Sequence, residues 1–332
     1  MVFLLLSSFS QFYPNNGDPA LFQGHQNRIG LGSGDYYVFD CYFLCISYLG
    51  KGGSICCDNV ASCYLLIEKS VFRNISSNGY DGGGVYFQSS SGSAVFYSVC
   101  GEWCRTNGGS SKNGDFCYCS VGNNGINEFH LSSYISCSDN SNGASPIMII
   151  MGFQKGTDLN STRNNVISYS LGVLMLSQTS DFRFWNMYNN SCTDYTGLRF
   201  CGGIFKVSFS SFVSNYQRFG LLYQDSAYSQ DSSIESCIFL NNRFAISQSQ
   251  SYEKYQFYNS KGTMVLNKCW ISGTYTVTKV GYSNSVTSTS INTYPDMNQV
   301  ECNVNPNSFY RKQYNHVLSK GFLLYLVFMP LI

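Results

Sequence analysis

Charge is scarce in this 332-residue chain: Asp, Glu, Lys and Arg make up 12% of it and nearly cancel, leaving a net charge of +1. No basic cluster is longer than Arg311-Lys312, so the electrostatic footprint of a nucleic-acid binder is missing and no nucleic-acid partner is expected. Histidine is nearly absent. His25, His130 and His316 have no cysteine or acid at metal-ligand spacing, so no histidine-based metal site is expected, nor any cofactor. The glycine-rich runs Gly30-Leu-Gly-Ser-Gly34 and Gly82-Gly-Gly84 lack the spacing and the lysine of a phosphate loop and read as turns. The charge-free C-terminal run Gly321–Ile332 has twelve residues, short of the ~20 that a membrane-spanning helix needs. Helix-period patterning is also missing between residue 35 and about residue 280, and the composition is poor in the Ala, Glu, Lys and Leu of helical proteins.

What is present is strand and turn material. Tyr (26), Phe (25) and Gly (31) are abundant, with many Ser and Asn, the residues of strands and tight turns. Aromatic residues at 16% exclude intrinsic disorder. Between Gly172 and Trp270 the sequence repeats about every 24 residues. One mark is Gly172-Val-Leu-Met, Gly197-Leu-Arg-Phe, Gly220-Leu-Leu-Tyr and Phe244-Ala-Ile-Ser. A second is Tyr188-Asn-Asn190, Phe212-Val-Ser-Asn215, Phe239-Leu-Asn-Asn242 and Trp270. Strands and turns at this period predict an all-β solenoid of parallel coils. Eight to ten coils are expected over residues 35–280. Residues 1–34 form a short leader or entry cap, and 281–332 a polar exit segment with an apolar tail. That tail reads as a cap, a truncated span or an anchor signal, and so allows membrane association. In such a stack Phe212 and Phe239 face inward, while Asn215 and Asn242 bond buried backbone as a ladder.

The fifteen cysteines, ten of them between Cys41 and Cys137, fit an oxidising compartment and hence a secreted or cell-surface location. Cys100, Cys104, Cys117 and Cys119 form a candidate disulfide or metal cluster; most of the others are expected to pack inward as thiols. Sequons place candidate glycosylation at Asn74, Asn160 and Asn189.

The repeats resemble those of the right-handed parallel β-helix, the pectin-lyase-like fold. More narrowly they resemble surface proteins with GGA[ILV] and FxxN repeats: chlamydial polymorphic membrane proteins and the cysteine-rich surface proteins of trichomonads. The residues that carry the likeness are Gly52-Gly-Ser-Ile55, Gly83-Gly-Val85, Gly202-Gly-Ile204, Phe212…Asn215 and Phe239…Asn242. The alanine of the first motif is absent from every copy. The resemblance implies a single-stranded right-handed β-helix at the cell surface. It implies a noncatalytic role in adhesion, with a host-cell or surface protein, or a glycan, as partner. A polysaccharide lyase or glycoside hydrolase of the same fold is the alternative, with Asp194, Asp225 and Asp231 as candidate acids. Against it, the signatures of the family's pectinase-type hydrolases are missing. A structural coat protein without a specific ligand is a further alternative.

Overall fold

The computed structural model describes residues 8–108, 111–138, 143–225, 232–244, 255–259, 264–271, 276–278 and 280–282. Asp231 and the tail from 283 to 332 lie outside them. The chain winds into a parallel β-solenoid of about eight turns. One coil illustrates all of them. Ile55–Val60 lies in a ten-stranded sheet, Cys63–Glu68 and Val71–Arg73 lie in a seventeen-stranded long sheet, and Ser76–Ser77 lies in a short third sheet. The next coil repeats the series as Val85–Ser89, Ser93–Tyr97, Cys100–Glu102 and Arg105–Thr106, each strand paired in parallel with its predecessor. Pairing begins upstream of residue 35, where Ala20–His25 adds to Tyr36–Tyr42.

Corners set the coil. Asp40, Lys69, Ser98, Leu131, Asp158, Phe184, Phe209, Ser236 and Lys268 all have φ between 48° and 55°. Five residues beyond each of the first eight stands a second left-handed residue: Cys45, Asn74, Trp103, Ser136, Arg163, Asn189, Ser214 and Asn241. Left-handed backbone costs a non-glycine residue roughly 1–2 kcal/mol, so its recurrence means that stacking of the coils outweighs local preference. The first series advances by 29, 29, 33, 27, 26, 25, 27 and 32 residues. The true period is therefore longer and less regular than 24.

Strand pairing also shifts the repeat alignment. Gly172 pairs with Leu198, and Leu198 with Leu222, so the glycines of the first mark enter their strands at different points. Phe244 pairs with Gln217 in another short sheet; the strand that follows Leu222 is Tyr255–Asn259. In the second mark Met187, not Tyr188, pairs with Phe212. The glycine pairs divide as well. Gly52 and Gly82 (φ 62° and 71°) both turn the chain into the ten-stranded sheet, whereas Gly202-Gly203 leads into the long sheet. At Gly83 a β-carbon would collide with the Asp115 carbonyl oxygen, so the backbones there approach too closely for any side chain.

The interior is built of columns that run from coil to coil. Val38, Ile67, Phe96, Phe129, Gly156, Phe182, Val207, Ile234 and Leu266 are in register. Phe96 and Phe129 stack at 4.4 Å with planes 4° apart. A parallel column holds Phe43, Phe72, Gly101, Tyr134, Ser161, Met187, Phe212, Phe239 and Ile271. Phe43 and Phe72 stack at 4.7 Å, as do Phe212 and Phe239. Gly101 interrupts the column because Phe116 fills its place: a β-carbon there would collide with that ring. Each buried aromatic contributes about 1.5–3 kcal/mol relative to an exposed one.

An amide ladder follows the second corner. Asn164, Asn190, Asn215 and Asn242 occupy one column, and the last three accept through Oδ1 both the backbone and the side-chain N–H of the asparagine one coil earlier, at 2.9–3.1 Å. Asn164 Oδ1 accepts from Cys137 N. Each Nδ2 also donates to a carbonyl: Tyr134, Ser161, Met187 and Phe212 in turn. Leucine at Asn215 would take the ladder partner from the Asn190 backbone N–H and the Met187 carbonyl, and one bond each from Asn190 Nδ2 and Asn242 Oδ1. The substitutions Asn215→Leu and Asn242→Leu are each expected to lower stability by about 1–3 kcal/mol in urea unfolding; a loss below about 0.5 kcal/mol would contradict a ladder that bears on stability.

Candidate functional site

Outward side chains also form columns, and on the long sheet they change character midway. One column reads Tyr37, Leu66, Val95, Glu128, Lys155, Asp181, Lys206 and Ser233. Its apolar part is covered. The short helix at residues 8–12 lays Phe9 and Tyr13 on Tyr37, Leu66 and Val95, and all five are buried. The Tyr13 hydroxyl lies 2.9 Å from the Leu65 carbonyl and 3.2 Å from that of Ser93. Phe12 reaches His130, where the cover by the described residues ends.

Beyond that boundary the face is charged. Glu128 accepts a hydrogen bond from Lys155 Nζ at 2.8 Å and lies 3.0 Å from His130 Nε2. Arg183 holds Asp181 with two bonds, of 3.1 and 2.7 Å. Acid and base thus alternate from coil to coil: Glu128, Lys155, Asp181, Lys206. At the adjoining corner Phe184 and Phe209 are 41% and 39% exposed and stack at 5.5 Å with planes 20° apart. At the opposite border of the same strands Ile204 is 47% exposed. The result is an open strip with charges along its middle and apolar side chains on both margins. Solvated ion pairs of this kind contribute only about 0–1 kcal/mol each, so fold stability does not account for it. The sequence singles out neither Glu128 nor Lys155: they come from different coils, and no local spacing announces their pairing.

Among the described residues, the two carboxylates of the strip are each paired with a base. Glu128 and Asp181 are two coils apart with Lys155 between them. The hydrogen bond with His130, then that from Lys155, holds the Glu128 carboxyl below its ordinary range, the opposite of what a general acid needs. Glu102 is shifted upward by burial, yet its charged neighbours are Arg73 and Arg163. Asp194 is half-buried, 3.4 Å from Arg218. Asp225 ends a strand of the ten-stranded sheet.

The other candidate residues separate. Cys104, Cys117 and Cys119 are buried free thiols, the last two with sulfurs 3.3 Å apart, whereas Cys100 is disulfide-bonded. Among the described residues no group of three or more His, Cys, Asp or Glu is placed to hold a metal ion. Asn74 and Asn189 are exposed at second corners. Asn160 is buried, bonded through Oδ1 to Thr162 and Asn186. No family model, curated protein or solved structure matches the chain.

Because the folded carboxyl of Glu128 is depressed, its stabilising effect is present above the unfolded value of about 4.3 and is lost as pH falls through the folded value. Glu128→Gln is therefore expected to melt below the parent at near-neutral pH, with the gap closing in acid. Thermal unfolding between about pH 6 and pH 3 checks this; a gap independent of pH would contradict it.

Proposed function

We propose that this chain is a noncatalytic binding protein of the cell surface or the secreted space, a right-handed pectin-lyase-like solenoid that mediates adhesion. Its partner is a glycan, or a protein of the host cell or of the surrounding surface. The observation that carries this reading is the open strip on the long sheet, where alternating charges run between exposed Phe184, Phe209 and Ile204. Sugar rings present C–H faces that stack on aromatic side chains, and their hydroxyls take hydrogen bonds from paired charges. A flat face that repeats at about 4.8 Å per coil suits an extended ligand better than a small molecule. On the strip, the described carboxylates Glu128 and Asp181 are paired with bases rather than with each other, which gives the lyase or hydrolase alternative no support there.

A glycan and polysaccharide panel with the purified full chain tests this, with retained protein and newly released reducing or unsaturated ends both recorded. Retention without release is expected. Phe184→Ala with Phe209→Ala should weaken it at least about tenfold, the loss of one or two buried aromatic contacts. Release of ends would overturn the noncatalytic reading, and retention unchanged in the double variant would overturn the assignment of the strip.

A further inference from the structure

Two pairs of buried thiols stand on adjacent coils at equivalent corner positions. Cys237 and Cys269 each follow a first-corner residue, Ser236 and Lys268. They are bracketed by the paired residues Glu235 with Asn267 and Ile238 with Trp270. The backbone between is in register: Ser236 N donates to Asn267 O at 2.8 Å and Trp270 N to Cys237 O at 2.9 Å. Their α-carbons are thus one coil spacing apart, about 4.8 Å, inside the window of about 4.4–6.8 Å that a disulfide spans. Both sulfurs point inward and lie against the carbonyl two residues back, Glu235 O at 3.3 Å and Asn267 O at 3.4 Å, so the two side chains run side by side.

Cys104 and Cys137 repeat this arrangement at the second corner, after Trp103 and Ser136. Glu102 pairs with Ile135, Trp103 N donates to Ile135 O, and Ser138 N donates to Cys104 O. Their sulfurs again lie against the carbonyls two residues back, of Glu102 and Ile135. Cys117 and Cys119 differ: they sit two apart on one strand, where a bond would have to bend that strand.

We propose that Cys237 with Cys269, and Cys104 with Cys137, are cross-coil disulfide sites whose oxidation staples neighbouring coils. The chemistry is thiol–disulfide exchange with a small-molecule disulfide such as oxidised glutathione. One cysteine thiolate attacks and releases the first small thiol. The second cysteine then displaces the other. Two protein thiols and one external disulfide become one protein disulfide and two external thiols, with electrons and protons balanced. Burial raises the thiols of Cys237 and Cys137, so exchange runs during folding or when the corner opens. The bond at Cys237 and Cys269 joins coils near the end of the described stack, where edge strands are most prone to fraying.

The full chain, refolded with oxidised and reduced glutathione, is alkylated in denaturant, digested and mapped by mass. Peptides joining Cys237 to Cys269 and Cys104 to Cys137 are expected, each two hydrogens lighter than the summed thiol forms. In Cys269→Ser, Cys237 should alkylate while the other link persists. Serine already stands in that column at Ser70, Ser132 and Ser210, so the variant keeps its fold, which circular dichroism verifies. Alkylation of both partners in folded, glutathione-treated protein, or links to other cysteines, would overturn the proposal.

Discussion

In-register pairing of each coil with the next is the constraint on which the rest depends. A strand in this stack has its hydrogen-bonding partners above and below, not beside it in sequence, so no coil satisfies its backbone alone. Register is unforgiving because side chains alternate: a slip of one residue would turn Phe96, Phe129 and Phe182 outward and bring Glu128 and Asp181 into the core. The left-handed residues at the corners pin that register. They let side chains as different as Asp40, Leu131, Phe184 and Lys268 occupy one geometric position, at a local cost that the stacked columns offset.

The same geometry explains why one corner tolerates different chemistry along its length. Following the second corner the column reads Ile46, Ile75, Cys104, Cys137, Asn164, Asn190, Asn215 and Asn242. Early coils fill this space with apolar or thiol side chains, and later coils with amides that bond one another. An amide there is stable only beside another amide or an open backbone group, which is why the asparagines are contiguous. The outer face obeys a matching rule. Where the column is apolar, the chain's own Phe9 and Tyr13 cover it; where it becomes charged, no described residue covers it. The open part is the surface proposed above to take a partner.

Much of this architecture could be read from residues alone. Alternating apolar runs, turn chemistry and a repeat pointed to the parallel solenoid, and Phe-x-x-Asn located an inward ring followed by a buried amide. The period was less legible. Self-similarity aligns glycines and aromatics, whereas coils align by backbone pairing, and extra residues before Phe116 and after Phe244 lengthen two coils without disturbing the columns. The strip was less legible still. Glu128, Lys155 and Asp181 are 27 and 26 positions apart and become neighbours only once coil lengths are known. Asn160 carries a sequon, yet its place in the long sheet buries it, a fact no local motif encodes.

The register itself can be measured most directly by paired cysteine substitution on the open face. Lys155 and Asp181 face each other on adjacent coils, and Lys206 lies one coil further. With Lys155→Cys and Asp181→Cys in one chain, mild oxidation followed by peptide mapping should join the two positions, because their α-carbons are about 4.8 Å apart. Lys155→Cys with Lys206→Cys, at about twice that distance, should stay unlinked. A link in the second pair and none in the first would contradict parallel stacking in this register, and with it every column described above.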